Sequence, residues 1–368
     1  MRRITELDSL RGLAAVAIVL FHLWLPTLAF LGTAVDFFFV MSGYLITDII
    51  LKQGHQPGFL ANFYARRALR IWPIYYLSLL FLLAVNPFLP VPFPTDALPY
   101  FLTYTQNSAH YWGQSNPAFF DSFAHTWTLA VEEQYYLVWP LALIVLGRRS
   151  LRPLALVFIA VAVGTRMTGF SRWTLMSRSD GLAIGGLLAS LLNCEVSTVA
   201  NRVGIGRLLA GLGVGSVVFL ARKNGWGDMI NPSWPSTVAL SLRMLAINLL
   251  FCSVIGLIVL NHGHKILAPL RNARLAMLGQ LSYGIYLYHY FLFEIIQQYA
   301  DRFELANGLT LDLFKLTVSF LVALASWRWI EQPLLSLKGR FTYQAKTQVN
   351  SMARTDSVRL DSLGSRMP

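Results

Sequence analysis

Apolar residues in this chain occur in long, nearly uncharged blocks that are separated by short polar connections. A block of about 20 apolar residues is long enough for one helix to cross the hydrocarbon core of a bilayer. The pattern predicts ten such helices joined mostly by short loops, and therefore one helical bundle. The predicted spans lie at roughly 10–31, 34–51, 71–89, 125–146, 152–168, 179–194, 204–221, 237–260, 275–297 and 310–330.

The composition of the chain is that of a membrane protein. Of the 368 residues, 55% are hydrophobic and only 13% are charged, whereas a soluble protein carries about 25% charged residues. We therefore predict an all-α polytopic membrane protein with a single transmembrane domain at residues 1–338. Residues 339–368 are polar and basic and lack periodicity, which predicts a disordered cytoplasmic tail.

The net charge of +12 raises the question of nucleic-acid binding, which the placement of the cations answers. With the N-terminus inside, the predicted cytoplasmic segments hold 21 of the 30 Lys and Arg residues, and the long outer loop 90–124 holds none. This asymmetry follows the positive-inside rule, which places both termini in the cytoplasm. The basic excess therefore indicates membrane topology, and we predict no nucleic-acid partner.

The first apolar block and the two cysteines carry less information. Arg2 and Arg3 precede an apolar run as in a signal peptide, but no small-x-small cleavage motif follows. We therefore expect an uncleaved first helix. Cys194 and Cys252 both fall at or inside apolar spans, where small core residues are more common than a disulfide or metal ligands. We predict no metal site.

The first span carries a cation and an imidazole at a fixed separation. Arg11 and His22 are eleven residues apart, which on a helix gives about three turns and places both side chains on one face, about 16 Å apart. A histidine inside a span faces a cavity or a partner and is a functional candidate. Its ordinary pKa suits it to moving protons. The alternative is a polar helix-packing contact.

The fourth predicted span, "HTWTLAVEEQYYLVWP", carries polar residues at intervals of three to four, namely His125, Thr128, Glu132 and Tyr136. This spacing predicts one polar stripe on the helix. Glu132 is expected at a depth comparable to that of His22, and we predict that the two side chains pair. Glu133 points about 100° away from Glu132 and is the second candidate. The alternative is a structural carboxylate bonded to backbone or to an arginine such as Arg178.

Three arginines precede the third predicted span in "YARRALRIWP". Arg67 and Arg70 share one helical face, and Arg66 lies beside them. Guanidinium groups that form a fork suit phosphate oxygens, and this cluster would face the cytoplasm. The alternative is ordinary positive-inside anchoring.

Several polar residues lie toward the predicted outer side. Residues 86–124 are rich in Pro, Tyr, Phe and Asn and predict an outer cap or a short re-entrant piece. Asp36 opens the second span, and His289 lies on a polar stripe of the ninth. Arg178 and Asp180 open the sixth, where they form either an ion pair or a recognition site. His289 is equally well explained as a hydrogen-bonded core residue.

Seven segments together resemble the membrane acyltransferase-3 family, which includes bacterial O-acetyltransferases of lipopolysaccharide, exopolysaccharide and nodulation factors. They follow the family's order from residue 7 to residue 333 and are "LDSLRGLAAVAIVLFH", "VDFFFVMSGYLI", "RRALRIWP", "HTWTLAVEEQYYLVWPL", "RSDGLAIGGLLAS", "LSYGIYLYHYF" and "WIEQP". Two positions depart from the usual pattern, Ala34 for glycine and Thr128 for serine. Longer relatives carry an appended extracytoplasmic hydrolase-like domain, so we expect any second transfer step outside to need a separate protein.

This resemblance implies an O-acyltransferase in the bacterial cytoplasmic (inner) membrane, with acyl-CoA, most often acetyl-CoA, as the donor and a glycan hydroxyl as the acceptor. It implies donor binding by Arg11, Arg67 and Arg70, and a catalytic centre at His22 with Glu132 or Glu133. His22 would act as a general base or as a covalent acyl carrier. The acceptor would contact the outer polar residues, which are Asp36, His125, Arg178, Asp180 and His289.

Two alternatives remain at this stage. One is acylation of a small molecule or a lipid. The other is a proton-coupled transporter, because histidine and glutamate inside a membrane also form proton relays. The arginine fork and the lack of an evident inverted repeat favour the enzyme.

Overall fold

The computed structural model describes residues 4–24, 27–92, 95, 98–108, 123–171, 173–194, 199–222 and 237–341. Within these ranges the chain is helical and contains no β-strand. The predicted tail at 339–368 lies almost entirely outside the described residues, as does much of the predicted outer cap at 86–124. The all-α class predicted from the sequence is therefore confirmed for the part of the chain that the structure describes.

The described residues form ten helices of 17 or more residues and two short ones. They are α1 Thr5–Leu23, α2 Ala34–Gln53, α3 Phe59–Val85, α4 Leu98–Leu102, α5 Trp127–Leu146, α6 Leu151–Met167, α7 Leu175–Cys194, α8 Val199–Arg222, α9 Thr237–Leu260, α10 Ala273–Arg302, α11 Leu309–Ser326 and α12 Gln332–Ser336. Each of the ten predicted spans overlaps one long helix. Six segments are long and apolar enough to cross a membrane, which makes this a multi-pass membrane protein.

The first helix is shorter than the predicted span 10–31. It ends at Leu23, and a 3₁₀ helix at Ala29–Thr33 leads into α2. Pro26 follows closely in the sequence, and a helix normally ends before the residue that precedes a proline. His22 therefore lies in the last turn of α1, at the end of the bundle where α2 begins.

Two pairs of helices approach each other closely through glycine. A Cβ atom on Gly279 of α10 would lie 1.9 Å from the Asp8 carbonyl oxygen of α1, and one on Gly12 would lie 2.7 Å from the Gly279 nitrogen. The α2–α7 pair meets in the same way, because a Cβ on Gly43 would lie 1.8 Å from the Leu182 carbonyl oxygen. Small residues let membrane helices pack at backbone distance. The first of these contacts fixes α1 against α10.

Two buried ion pairs join neighbouring helices at the end of the bundle that holds His22. Arg178 on α7 contacts Asp36 on α2 at 3.0 Å, and Arg166 on α6 contacts Asp180 on α7 at 2.7 Å. Of the two alternatives for Arg178 and Asp180, a mutual ion pair is therefore excluded, because residues two apart on a helix do not face each other. All four side chains are buried, so the structure places Asp36, Arg178 and Asp180 in helix contacts instead of on an open recognition surface.

Candidate active site

Three histidines from three parts of the chain meet near one end of the bundle. His22 lies in the last turn of α1, His289 lies inside α10, and His125 lies in the 3₁₀ turn that precedes α5. His289 Nε2 lies 3.0 Å from His22 Nδ1. The rings of His125 and His289 have their centroids 5.2 Å apart. We call this end of the molecule the histidine end.

Each of the three imidazoles is also bonded to a backbone carbonyl. His22 Nδ1 lies 3.0 Å from the Ile18 carbonyl oxygen, and His289 Nδ1 lies 3.1 Å from that of Ile285. His125 Nε2 lies 3.2 Å from the carbonyl oxygen of Leu287, whereas its Nδ1 is buried without a partner among the described residues. The three rings do not form a metal-binding group within the part of the chain that the structure describes.

The predicted pairing of His22 with Glu132 was wrong. Glu132 accepts hydrogen bonds from Ser42 Oγ at 2.9 Å and from Tyr136 Oη at 2.8 Å. Because α1 ends at Leu23, His22 meets the start of α5, where His125 lies. Glu132 is seven residues further along that helix, about 10 Å away along its axis.

A cavity of about 320 Å³ lies between α1, α2, α3, α5 and α10. Its charged lining residues lie together at one end, the polar end, which holds Asp8, Arg11, Arg67, Arg70, Glu132 and Tyr136. The other polar residues of the lining are Ser42, Thr128, Ser282, Tyr283 and Tyr286. Along one wall, α2 supplies apolar side chains that include Phe38 and Leu45. We call the polar end the arginine end. The three arginines that the sequence singled out as donor contacts thus line one cavity.

Aromatic rings and backbone carbonyls hold two of the arginines on α3 in different directions. The Arg67 guanidinium lies 4.6 Å from the centroid of the Tyr136 ring, a cation–π contact beside Glu132. Arg66 instead donates to the carbonyl oxygens of Lys338 and Phe341, at 3.2 and 2.9 Å. Arg66 therefore holds the C-terminal segment against α3, whereas Arg67 faces the cavity.

The two adjacent glutamates of α5 lie in different surroundings. Glu132 lines the cavity, whereas Glu133 accepts a hydrogen bond from Trp72 Nε1 at 3.1 Å. Trp72 is 46% exposed. The angular separation expected between the two carboxylates is thus present, and Glu132 is the one that lies beside the arginines.

The cavity ends one helical turn from His22. Ile18, Thr128 and Tyr286 line this end, and Ile18 precedes His22 by four residues. The Tyr286 hydroxyl bonds to Thr128 Oγ and donates to the His125 carbonyl oxygen. This contact, which we call the Tyr286–Thr128 contact, joins the lining of the cavity to the backbone of His125.

Sequence reasoning missed three residues near the site. Asp8 lines the cavity. Its position one helical turn before Arg11 could have indicated this. Tyr290 packs against His22, with ring centroids 4.9 Å apart, and it directly follows His289. Lys338 lies within electrostatic range of Arg11 and Arg70, and no pattern in the sequence indicated that placement.

Comparison with known proteins agrees with the geometry. A family model described as an acyltransferase domain, Acyl_transf_3, matches residues 4–328. The peptidoglycan O-acetyltransferase OatA of Listeria monocytogenes is 27% identical over 374 residues, which cover 90% of this chain and 56% of that protein. The O-acetyltransferase OatA of Staphylococcus aureus is 26% identical over 363 residues, which cover 90% and 57%.

A putative O-acetyltransferase of Staphylococcus aureus strain COL is 36% identical over a shorter stretch of 160 residues, which covers 40% of this chain and 26% of that protein. The chain thus spans little more than half the length of the first two relatives. No solved structure matches it. Since the family model covers most of the chain, the protein belongs to the membrane acyltransferase-3 family.

Proposed function

We propose that this protein is a membrane O-acyltransferase that moves an acetyl group from cytoplasmic acetyl-CoA to a hydroxyl group of an extracytoplasmic glycan. The observation that carries the proposal is the single cavity that leads from Arg11, Arg67 and Arg70 to within one turn of His22. The relatives named for peptidoglycan support a surface glycan as the acceptor class, which includes lipopolysaccharide and exopolysaccharide in other bacteria.

The arginine end supports an anionic donor. Three guanidinium groups around one cavity form charge-assisted hydrogen bonds with phosphate oxygens more readily than with neutral ligands. The cavity volume of about 320 Å³ is near the lower limit for small-molecule sites. It would therefore take the acyl-pantetheine arm and leave the nucleotide at the mouth, beside the arginines.

The positions of the cations support the orientation of the molecule. The arginine end holds the start of α1, which follows Arg2 and Arg3 in the sequence, and the part of α3 that carries Arg66, Arg67 and Arg70. The positive-inside rule places such segments in the cytoplasm, which is where acyl-CoA is found. We accordingly place both termini in the cytoplasm and the histidine end toward the outer face of the inner membrane.

The three imidazoles support the chemistry of hydroxyl acylation. His22 would act as the general base: the acceptor hydroxyl transfers its proton to the imidazole while its oxygen attacks the thioester carbonyl carbon. The C–S bond then breaks, and the CoA thiolate takes the proton back from His22. His125 Nδ1 is buried without a partner among the described residues. It would accept a hydrogen bond from the glycan substrate.

The acyl group must pass the Tyr286–Thr128 contact to reach His22. Rotation of these two side chains would join the cavity to the histidine end, since both residues line the cavity. While Tyr286 and Thr128 are in contact, water from the outer side would not reach the donor in the cavity. This supports an enzyme over a transporter, because a transporter has no need for a cluster of arginines behind a closed contact.

Binding of radiolabelled acetyl-CoA to the purified protein tests the donor half of the proposal. Replacing Arg70 with Gln removes one cation from the cavity, and we expect donor affinity to fall about tenfold, equal to about 1.4 kcal/mol. The matched control is Arg340→Gln, because Arg340 is exposed and does not line the cavity. Absence of donor binding by the wild-type protein, or equal binding by Arg70→Gln, would overturn the proposal.

A further inference from the structure

We infer that His289 is the positioning residue of His22, with its Nε2 lone pair accepting the hydrogen bond from His22 Nδ1–H. This inference rests on the proposed function. His289 would thus be the partner of His22, which the sequence had suggested for Glu132. This role replaces the contact with the glycan substrate that was expected for His289. The observation behind it is the 3.0 Å separation between His289 Nε2 and His22 Nδ1.

The carbonyl contacts decide which nitrogen carries each proton. A backbone carbonyl only accepts, so His289 Nδ1 must donate to Ile285, 3.1 Å away. In a neutral ring this leaves Nε2 of His289 as an acceptor. His22 Nδ1 must then be the donor. Its second contact, with the carbonyl oxygen of Ile18 at 3.0 Å, also requires a proton on Nδ1. His22 Nε2 is therefore the basic nitrogen.

The surroundings hold the imidazole pair without a carboxylate. Among the described residues, the hydrogen bonds of His22 go to Ile18 and His289. The other groups that face the pair are the rings of Phe21, His125, Tyr286, Tyr290 and Phe293. The nearby carboxylate Asp312 accepts from Trp24 Nε1 at 2.9 Å. Orientation of His22 thus depends on a neutral partner.

A neutral orienting group fits a buried site. His289 is 0% exposed, and an isolated carboxylate at such a position would be costly to desolvate. When His22 takes the acceptor's proton at Nε2, its Nδ1–H bond to His289 becomes charge-assisted and stronger. The stabilisation therefore appears mainly as charge develops, which lowers the barrier more than it tightens substrate binding.

Variants at His289 separate this role from a purely structural one. His289→Leu removes the acceptor, whereas His289→Gln keeps a carbonyl oxygen near the place of Nε2. The assay is release of CoA thiol from acetyl-CoA by the full-length protein in lipid vesicles, with water as the acyl acceptor. We expect kcat to fall about 100-fold or more in the Leu variant, with KM for acetyl-CoA within about threefold of wild type.

Rescue and control variants complete the experiment. We expect His289→Gln to recover at least about tenfold in kcat over His289→Leu, since the orienting hydrogen bond is restored. His262→Gln is the matched control, because His262 is exposed and bonds only locally, to Val259. A Gln variant as inactive as Leu, or a Leu variant with wild-type kcat, would overturn the inference. If His22→Ala also keeps full kcat, the proposed function fails as well.

A second measurement does not depend on the donor. Nitrogen-15 NMR of histidine-labelled protein in detergent reports which ring nitrogen is protonated. We expect both His22 and His289 to be protonated at Nδ1 in the wild-type protein. Protonation of neutral His22 at Nε2 would overturn the inference even if acyl transfer is confirmed.

Discussion

At the scale of single residues, polar groups of the site are each held by a specific partner inside an otherwise apolar bundle. Tyr136 shows how this works, since its hydroxyl donates to Glu132 while its ring face contacts the Arg67 guanidinium. Ser42 donates to the other oxygen of Glu132. The Glu132 carboxylate thus fixes the position of the Tyr136 ring, which contacts the Arg67 guanidinium.

This contact predicts different effects for the two adjacent glutamates. Replacing Glu132 with Ala removes the support of Tyr136 and the nearby negative charge, so Arg67 loses its fixed position. We expect KM for acetyl-CoA to rise about tenfold, equal to about 1.4 kcal/mol. Steady-state kinetics of CoA release measure this change.

Glu133→Ala is the matched control, because Glu133 contacts Trp72 and does not line the cavity. We expect KM and kcat of this variant to stay within about twofold of wild type. A larger loss at Glu133 than at Glu132 would show that the assignment of the two carboxylates is reversed.

At the scale of helices, the geometry of the histidine pair depends on how closely α1 approaches α10. Gly12 and Gly279 allow backbone contact between these helices, and His22 and His289 lie further along the same two helices. A small displacement at the glycines is therefore transmitted to a hydrogen bond 3.0 Å long. The helix contact is in this sense part of the candidate active site.

Gly279→Ala tests this connection. The added Cβ would lie 1.9 Å from the Asp8 carbonyl oxygen, which requires the helices to separate. We expect a loss of about 1–3 kcal/mol in stability, seen as a lower Tm in detergent, and a fall in kcat. Gly211→Ala in α8 is the control, since a Cβ there meets no atom within 4 Å. A Gly279→Ala protein with wild-type Tm and kcat would contradict this account.

The ion pair between α2 and α7 has a structural role in our account. Asp36 is 2% exposed, and removing its partner through Arg178→Met leaves a buried charge that costs about 3–5 kcal/mol. We expect a low folded yield of this variant and recovery in Asp36→Leu/Arg178→Met, with kcat per folded molecule near wild type. Thermal unfolding in detergent measures the first effect. A wild-type Tm combined with a raised KM for a glycan acceptor would instead support the recognition role expected from the sequence.

At the scale of the whole molecule, most of the helical architecture was predictable because apolar length and periodicity determine where membrane helices form. The shared face of Arg67 and Arg70 was also predictable, since spacing on a helix fixes which side chains share a face. That Arg11, on another helix, joins them was implied only by the family resemblance. Depth was harder to predict. A first helix assumed to reach residue 31 placed His22 opposite Glu132, whereas its true end at Leu23 places His22 opposite His125.

Contacts between distant parts of the chain were the least predictable. The pairing of His22 with His289 and of Asp36 with Arg178 joins residues far apart in sequence, and helical periodicity says nothing about which helices are neighbours. Motifs singled out ionisable residues that lie together in the structure but did not indicate their partners. Helix packing, set locally by residues such as Gly279, decides which of them meet.

The most direct test of the central claim is mass spectrometry of surface glycans from cells that lack the gene and carry a plasmid copy. We expect the wild-type copy and the His262→Ala control to restore glycans heavier by one acetyl group. We expect His22→Ala, present in the membrane in equal amount, not to restore them. Restoration of the acetylated glycans by His22→Ala would contradict the claim that acyl transfer takes place at His22.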